Sequence, residues 1–142
     1  MKTQLARQGY VLNDTAGIWL RTDYEGIAYS DGDEIEQHIA EIIQNAEDRS
    51  VLSSELRAHC TDWPTTYHLS SQRSNLLRPF SADLQGNILE IGAGCGAMTR
   101  FLGESGAQVL ALEGSLRRAT IAQSRTLDLS NVTIVADRFE HF

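Results

Sequence analysis

Hydrophobic and polar positions alternate most legibly between residues 86 and 137. Ile88, Leu89 and Ile91 make a short apolar run broken only by Glu90, long enough for a strand covered on both faces and too short for a helix. Gly92, Gly94 and Gly96 end it, because alternating glycines let the main chain turn sharply and come close to another group. Met98, Phe101 and Leu102 then recur at helical spacing over 97–105, and Gly106 stands where such a helix closes. A second apolar run, 108–112, ends on Glu113, and Ser115 is placed to cap a helix over 116–125 with Leu116, Ala119 and Ala122 inward. The third run, 131–136, closes on Asp137. Strands alternating with helices predict parallel pairing through right-handed crossovers, so the fold class is α/β, the β-α-β-α-β half of a doubly wound parallel sheet.

Upstream the pattern is that of a small α+β region over residues 1–62, a cap or accessory part ahead of 63–142. Residues 10–12, 17–21 and 26–30 are β-prone runs separated by polar turns, a small antiparallel meander. Asp31 and Glu34 form a capping-box-like start, and Ile35, Ile39, Ile42, Ile43 and Ala46 share one face of a helix to about Glu47. Ser50 opens a shorter helix through Arg57 with Val51, Leu52 and Leu56 inward. Residues 61–66, with Trp63-Pro64 and three threonines, predict a connection, and Ser70 a cap for a helix that ends before Pro79.

Composition narrows the function classes. With 142 residues and 42% hydrophobic content the chain can bury a real core. Its 12 Lys and Arg against 19 Asp and Glu give a formal net charge of −7, which speaks against a phosphate-tracking surface, so no nucleic-acid partner is expected. Cys60 and Cys95 stand far apart without metal-ligand spacing, so neither a metal nor a disulfide framework is expected. No signal core and no membrane-spanning length are seen, and the expected compartment is the cytoplasm.

In an open α/β sheet a ligand lies beyond the carboxyl ends of the strands. Glu113 is placed there to accept the two ribose hydroxyls of an adenosine, and Asp137 to accept from an adenine amino group, with Ala136 or Arg138 offering main-chain groups to the ring edge. Glu90 sits inside an apolar strand, where an ionised carboxylate is costly unless donors or a cationic ligand satisfy it. The run Glu90-Ile91-Gly92-Ala93-Gly94-Cys95-Gly96, followed by Glu113 and then Ala136-Asp137, resembles the first three motifs of the class I S-adenosylmethionine-dependent methyltransferases, which have Rossmann-like sheets. The resemblance covers about residues 86–140. It implies that the glycine motif, from Glu90 through Gly92, Ala93, Gly94, Cys95 and Gly96, lines the methionine and ribose portion of the cofactor S-adenosylmethionine, with Glu113 on the ribose and Asp137 on the adenine. More narrowly, 63–70 with Arg73 resembles the segment leading into bacterial sugar or surface-polysaccharide methyltransferases. The carboxylate of the cofactor needs a cation or hydroxyl, for which Arg73, His68 and Tyr67 are the candidates.

Gly92, Gly94 and Ala97 also satisfy an NAD-binding Gly-x-Gly-x-x-Ala turn, but Glu90 just before it would repel a pyrophosphate and suits a ligand carrying an ammonium and a sulfonium. Such folds continue with a fourth strand on the other side of the first, so the Rossmann-like sheet is expected to be incomplete and the strand at 88–91 to present an unpaired edge. The chain is therefore expected to be the N-terminal, cofactor-binding portion of a methyltransferase acting on a small-molecule or sugar acceptor. The alternatives are a non-catalytic cofactor-binding module completed by self-association through that edge, or a fragment of an NAD-binding oxidoreductase. No side chain is singled out as catalytic.

Overall fold

The computed structural model describes residues 1–27 and 30–142. Helix α1 (Lys2–Arg7) leads into a hairpin of β1 (Tyr10–Asn13) and β2 (Ile18–Arg21), then come α2 (Asp33–Asn45), α3 (Ser54–Ala58), α4 (Trp63–Leu69) and two short 3₁₀ turns, Ser71–Leu76 and Arg78–Phe80. The glycine-linked part follows as β3 (Asn87–Ile91), α5 (Ala97–Glu104), β4 (Gln108–Glu113), α6 (Leu116–Arg125) and β5 (Val132–Ala136). The five strands form one mixed sheet in the order β1-β2-β5-β4-β3. β3, β4 and β5 are parallel, as their alternation with helices predicts. β2 adds to β5 in parallel through Trp19↔Val135 and Leu20↔Ala136, and β1 closes that side antiparallel to β2. The N-terminal hairpin thus extends the same sheet, a pairing that local periodicity does not encode.

Alternation along the strands decides which layer each side chain joins. Val109, Ala111, Ile134 and Ala136 face α5 and α6, where they pack with Leu102, Ala107, Ala119 and Ala122. On the opposite face Leu112 and Val135 meet Leu5 and Tyr10. A third cluster seats α2 on α6 through Ile39, Ile42, Ile43 and Ile121, with Leu56 and Leu69 from α3 and α4. The edge strand β3 is less well covered, and Leu89 and Ile91 on its outer face are 49% and 62% exposed. Their register partners Leu110 and Leu112 belong to the face on which Leu5 packs. Glu90, one residue out of phase, turns instead toward the α5 side.

Several elements depart from the sequence pattern. Of the expected meander two strands form; Gly26, Ile27 and Ser30 are not in a strand, and Ala28 and Tyr29 lie outside the described residues. α2 starts at Asp33 with Gly32 as its N-cap, and Asp31 is drawn away from capping to pair with His68 and Arg118. α3 is shorter than expected and capped by Ser53, whose side chain accepts from Leu56 N. Where a connection was expected at 61–66, α4 begins: Asp62 accepts from Thr65 N while Thr65 reaches back to Asp62 N, a capping box, and Pro64 sits in the first turn where no N–H is needed. The stretch after Ser70 is 3₁₀ rather than α-helical.

Gly96 has a packing role in this arrangement. It is in the left-handed region, with φ +81°, and a Cβ there would lie 2.8 Å from Ala122 Cα on α6. Gly96→Ala is expected to destabilise the chain by about 2 kcal/mol or more, since backbone strain and overpacking each cost on the order of 1–2 kcal/mol. Thermal denaturation measures this directly, and an unchanged midpoint would contradict the close approach of α5 to α6.

Candidate functional site

A cavity of about 780 Å³ opens at the carboxyl ends of β3, β4 and β5. Its floor is the glycine turn. Gly92 and Gly94 hold φ values of +78° and +56° with no atom within 4 Å of where a Cβ would stand, so the main chain is bare toward the cavity. The turn is tied down from below: Gly92 N and Ala93 N both donate to Leu112 O, Gly96 N donates to Ala93 O, and Gly94 N donates to Glu113 Oε2 at 2.7 Å. Glu113 Oε1 accepts from Ser115 N at 2.8 Å. One carboxylate therefore fixes both the glycine turn and the approach to α6.

Glu90, Gly92, Ala93, Gly94, Cys95, Glu113, Asp137 and Arg73 all line the cavity. Gly96 and Ala136 are placed elsewhere, the first against α6 and the second fully buried in the core. Asp137 is only 2% exposed, and its oxygens are engaged: Oδ2 accepts from Tyr10 Oη at 2.6 Å and Oδ1 from Arg138 N at 2.8 Å. Burial, reinforced by that carboxylate, raises the Tyr10 phenol and keeps it protonated as a donor. Cys95 is 2% exposed, and burial pushes its thiol up to about 12. It fills space beneath the turn as a neutral group.

Glu90 brings a buried oxygen to the cavity wall. Its Oε2 is buried and makes no hydrogen bond among the described residues. Burial pushes the carboxyl up to about 7, against the downward pull of the neighbouring Thr99 hydroxyl and the Arg73 guanidinium, with Glu113 adding a smaller push.

The opposite wall comes from α4 and the loop before α2. Trp63, Pro64, Tyr67 and His68 line the cavity with Asp31 and Arg118. Among them Asp31, Trp63, Pro64 and Arg118 were not expected at the site. His68 Nε2 lies 2.8 Å from Asp31 Oδ2, Asp31 lies 2.9 Å from Arg118 Nη2, and Arg118 Nε donates to Glu36 Oε1 at 2.7 Å. His68 holds Asp31 below the usual carboxylate range, and burial pushes the imidazole itself down despite that partner. α4 is fixed from behind by Arg125, 1% exposed, which donates to the main-chain carbonyls of His68 and Leu69 at the helix C-terminus. The capping-box pair Asp62 and Thr65 is the one local signal for α4. The ion-pair network joins residues distant in the chain and leaves no local signal.

No family model matches the chain. Over 53 residues, 37% of its length, the chain is 47% identical to ribosomal RNA small subunit methyltransferase A of Streptococcus pneumoniae, and 45% identical to the enzyme of the same name from Streptococcus sanguinis. That stretch is methyltransferase-like in sequence. The match spans 18% of the length of each of these relatives. Among solved structures, a protein assigned as a sarcosine dimethylglycine methyltransferase from Galdieria sulphuraria is 19% identical, with 75% of this chain and 42% of that chain aligned at a TM-score of 0.44. The two streptococcal relatives do not support the narrower resemblance to sugar or surface-polysaccharide methyltransferases. They also correct the expectation that excluded nucleic acid, because the S. pneumoniae and S. sanguinis relatives are named for ribosomal RNA. The net charge of −7 is a sum over the whole chain and does not describe one binding face. Among the described residues no helix is long and apolar enough to cross a membrane.

Proposed function

We propose that this chain is the cofactor-binding portion of an S-adenosylmethionine-dependent methyltransferase. The observation that carries the reading is the pairing of a bare glycine turn with two acids of different character: Glu113, hydrogen-bonded to the turn, and Glu90, buried beside it with an unsatisfied oxygen. An adenosyl group fits the first, since a carboxylate oxygen has more than one acceptor site and Glu113 retains capacity for ribose hydroxyls. An α-ammonium fits the second, because a cation restores the charged form of Glu90 that burial disfavours. Arg73, on the cavity wall, offers a cation to the ligand's carboxylate. Asp137, held by Tyr10 and with His141 Nδ1 3.4 Å from its Oδ1, fixes the end of β5, and the main chain around Arg138 is left to meet an adenine edge. When bound, the cofactor supplies an electrophilic methyl group, and these residues orient it.

The acids of the site argue against NAD: Glu90 and Glu113 face the same cavity, and two carboxylates there repel a pyrophosphate. That the chain is a portion of a larger site is supported by β3, whose edge and outer apolar face are open. With nucleic acid no longer excluded, RNA stands among the acceptors this reading admits.

Calorimetric titration with S-adenosylhomocysteine, beside NAD under identical conditions, tests the proposal. Binding of the homocysteine nucleoside alone is expected; binding of NAD alone would overturn the assignment.

A further inference from the structure

Gly114, which follows Glu113 at the end of β4, is glycine for the sake of space. Its backbone is not in the left-handed region, so the conformation itself does not require glycine. A Cβ there would lie 2.6 Å from Ile27 Cδ1 and 3.0 Å from Ile27 Cγ1. The carbonyl of Gly114 is engaged by the same distant segment, accepting from Tyr24 Oη at 2.6 Å and from Ile27 N at 3.1 Å. Tyr24 also packs against the core beneath α5 and α6. Residues 24–27 are thus docked on the end of β4 by two hydrogen bonds and by an isoleucine seated on a bare Cα. Ile27 is nonetheless 40% exposed, and it lines the cavity.

We propose that Ile27 is the apolar face on which the adenine ring of the cofactor rests, so that a segment of the N-terminal region builds part of the adenosine site. This inference rests on the methyltransferase reading above. β4 lies between β3 and β5, so Glu113 stands between Glu90 and Asp137. In an adenosyl ligand the sulfur is on C5′ and the base on C1′. With the ammonium at Glu90 and the ribose hydroxyls at Glu113, the base therefore extends toward β5. Residues 24–27 bridge that gap: they follow β2, which pairs with the far side of β5, and end on Gly114 of β4. A purine takes hydrogen bonds at its edge and apolar contact on its faces. The main chain around Arg138 suits the edge, and Ile27 offers the face that a glycine after Glu113 leaves bare.

Isotope labelling of the isoleucine δ1 methyls reads this contact directly, with Ile27→Val assigning the Ile27 signal by its loss. Ile35 and Ile91, which share the lining, serve as internal comparisons. On saturation with S-adenosylhomocysteine the Ile27 methyl should move upfield in the ring current of the base and show a nuclear Overhauser effect to adenine H2 or H8. Ile27→Ala should weaken calorimetric affinity about fivefold to tenfold through lost apolar contact. Gly114→Ala, whose new methyl displaces Ile27 Cδ1, should also weaken binding. Adenosine alone, tested in parallel, should give the same Ile27 shift. If S-adenosylhomocysteine binds while its adenine protons reach Ile35, Ile91 or Phe139 and not Ile27, or if Ile27→Ala binds it undiminished, the proposed contact falls and the methyltransferase reading stands. If adenosine shifts the Ile27 methyl but S-adenosylhomocysteine fails to bind, the methyltransferase reading falls alone. If neither ligand moves that methyl and neither binds, both fall.

Discussion

Glu113→Ala is expected to weaken S-adenosylhomocysteine binding by at least about a hundredfold. Two ribose hydroxyls donating to one carboxylate are worth roughly 1.5–3 kcal/mol each when the acceptor is charged, and both are lost together. The structure adds a second loss. Gly94 N and Ser115 N also donate to Glu113, at 2.7 and 2.8 Å, and alanine leaves both amides without that partner, so the turn loosens at the proposed ligand site. Glu113→Gln separates the two effects. Its single carbonyl oxygen can serve one of the two main-chain donors and its amide nitrogen cannot accept, so an intermediate affinity is expected. Calorimetry on the three proteins, with a circular dichroism melt to record the change in fold stability, provides the comparison. Equal affinity in the alanine variant would remove Glu113 from the ligand site and leave it as a staple of the turn.

The part of the fold visible in the sequence is the part whose order is dictated locally. β3, β4 and β5 are short apolar runs that end on glycine or a carboxylate, and Ser115 caps α6 where its position predicts, accepting from Arg118 N. Arrangement across the sheet is another matter. Nothing in residues 18–21 announces that they will pair with β5, because parallel pairing depends on where the crossovers leave the sheet edge rather than on the strand's own residues. Trp63-Pro64 read as a break because proline restricts the residue before it, yet with Asp62 as N-cap the same proline falls in the first helical turn. Gly96 shows the limit of motif spacing. A glycine that admits a ligand and a glycine that admits a helix look alike in sequence, and only the 2.8 Å approach to Ala122 tells them apart. Asp137 shows a related limit, since a carboxylate that ends a strand at the site is here engaged by a tyrosine from the other end of the chain.

Glu90 connects the site to pH, and the sign can be worked out from its environment. Its carboxyl titrates at about 7 in the folded chain against 4.5 for an unperturbed glutamate, so between those values the folded state holds a proton that the unfolded state has released. Stability contributed by this group therefore falls as pH rises from about 4.5 to 7, and the full difference is on the order of 3 kcal/mol. Glu90→Gln removes the ionisation. The variant is expected to match the parent near pH 4 and to exceed it in denaturant stability by up to about 3 kcal/mol at pH 8. Ligand binding runs the other way. An ammonium beside Glu90 favours the carboxylate, so affinity for S-adenosylhomocysteine is expected to rise with pH, by up to about tenfold per unit below 7, with release of a proton on binding at pH 6. Calorimetry at pH 6 in two buffers of different ionisation enthalpy reads that proton directly. Glu90→Gln should abolish both the proton release and the pH dependence while lowering affinity at pH 8, where the parent carboxylate is charged. A glutamine variant that is more stable than the parent but binds the ligand equally well at pH 8 would show that Glu90 is a buried acid tolerated by the fold, and that the ammonium is held elsewhere.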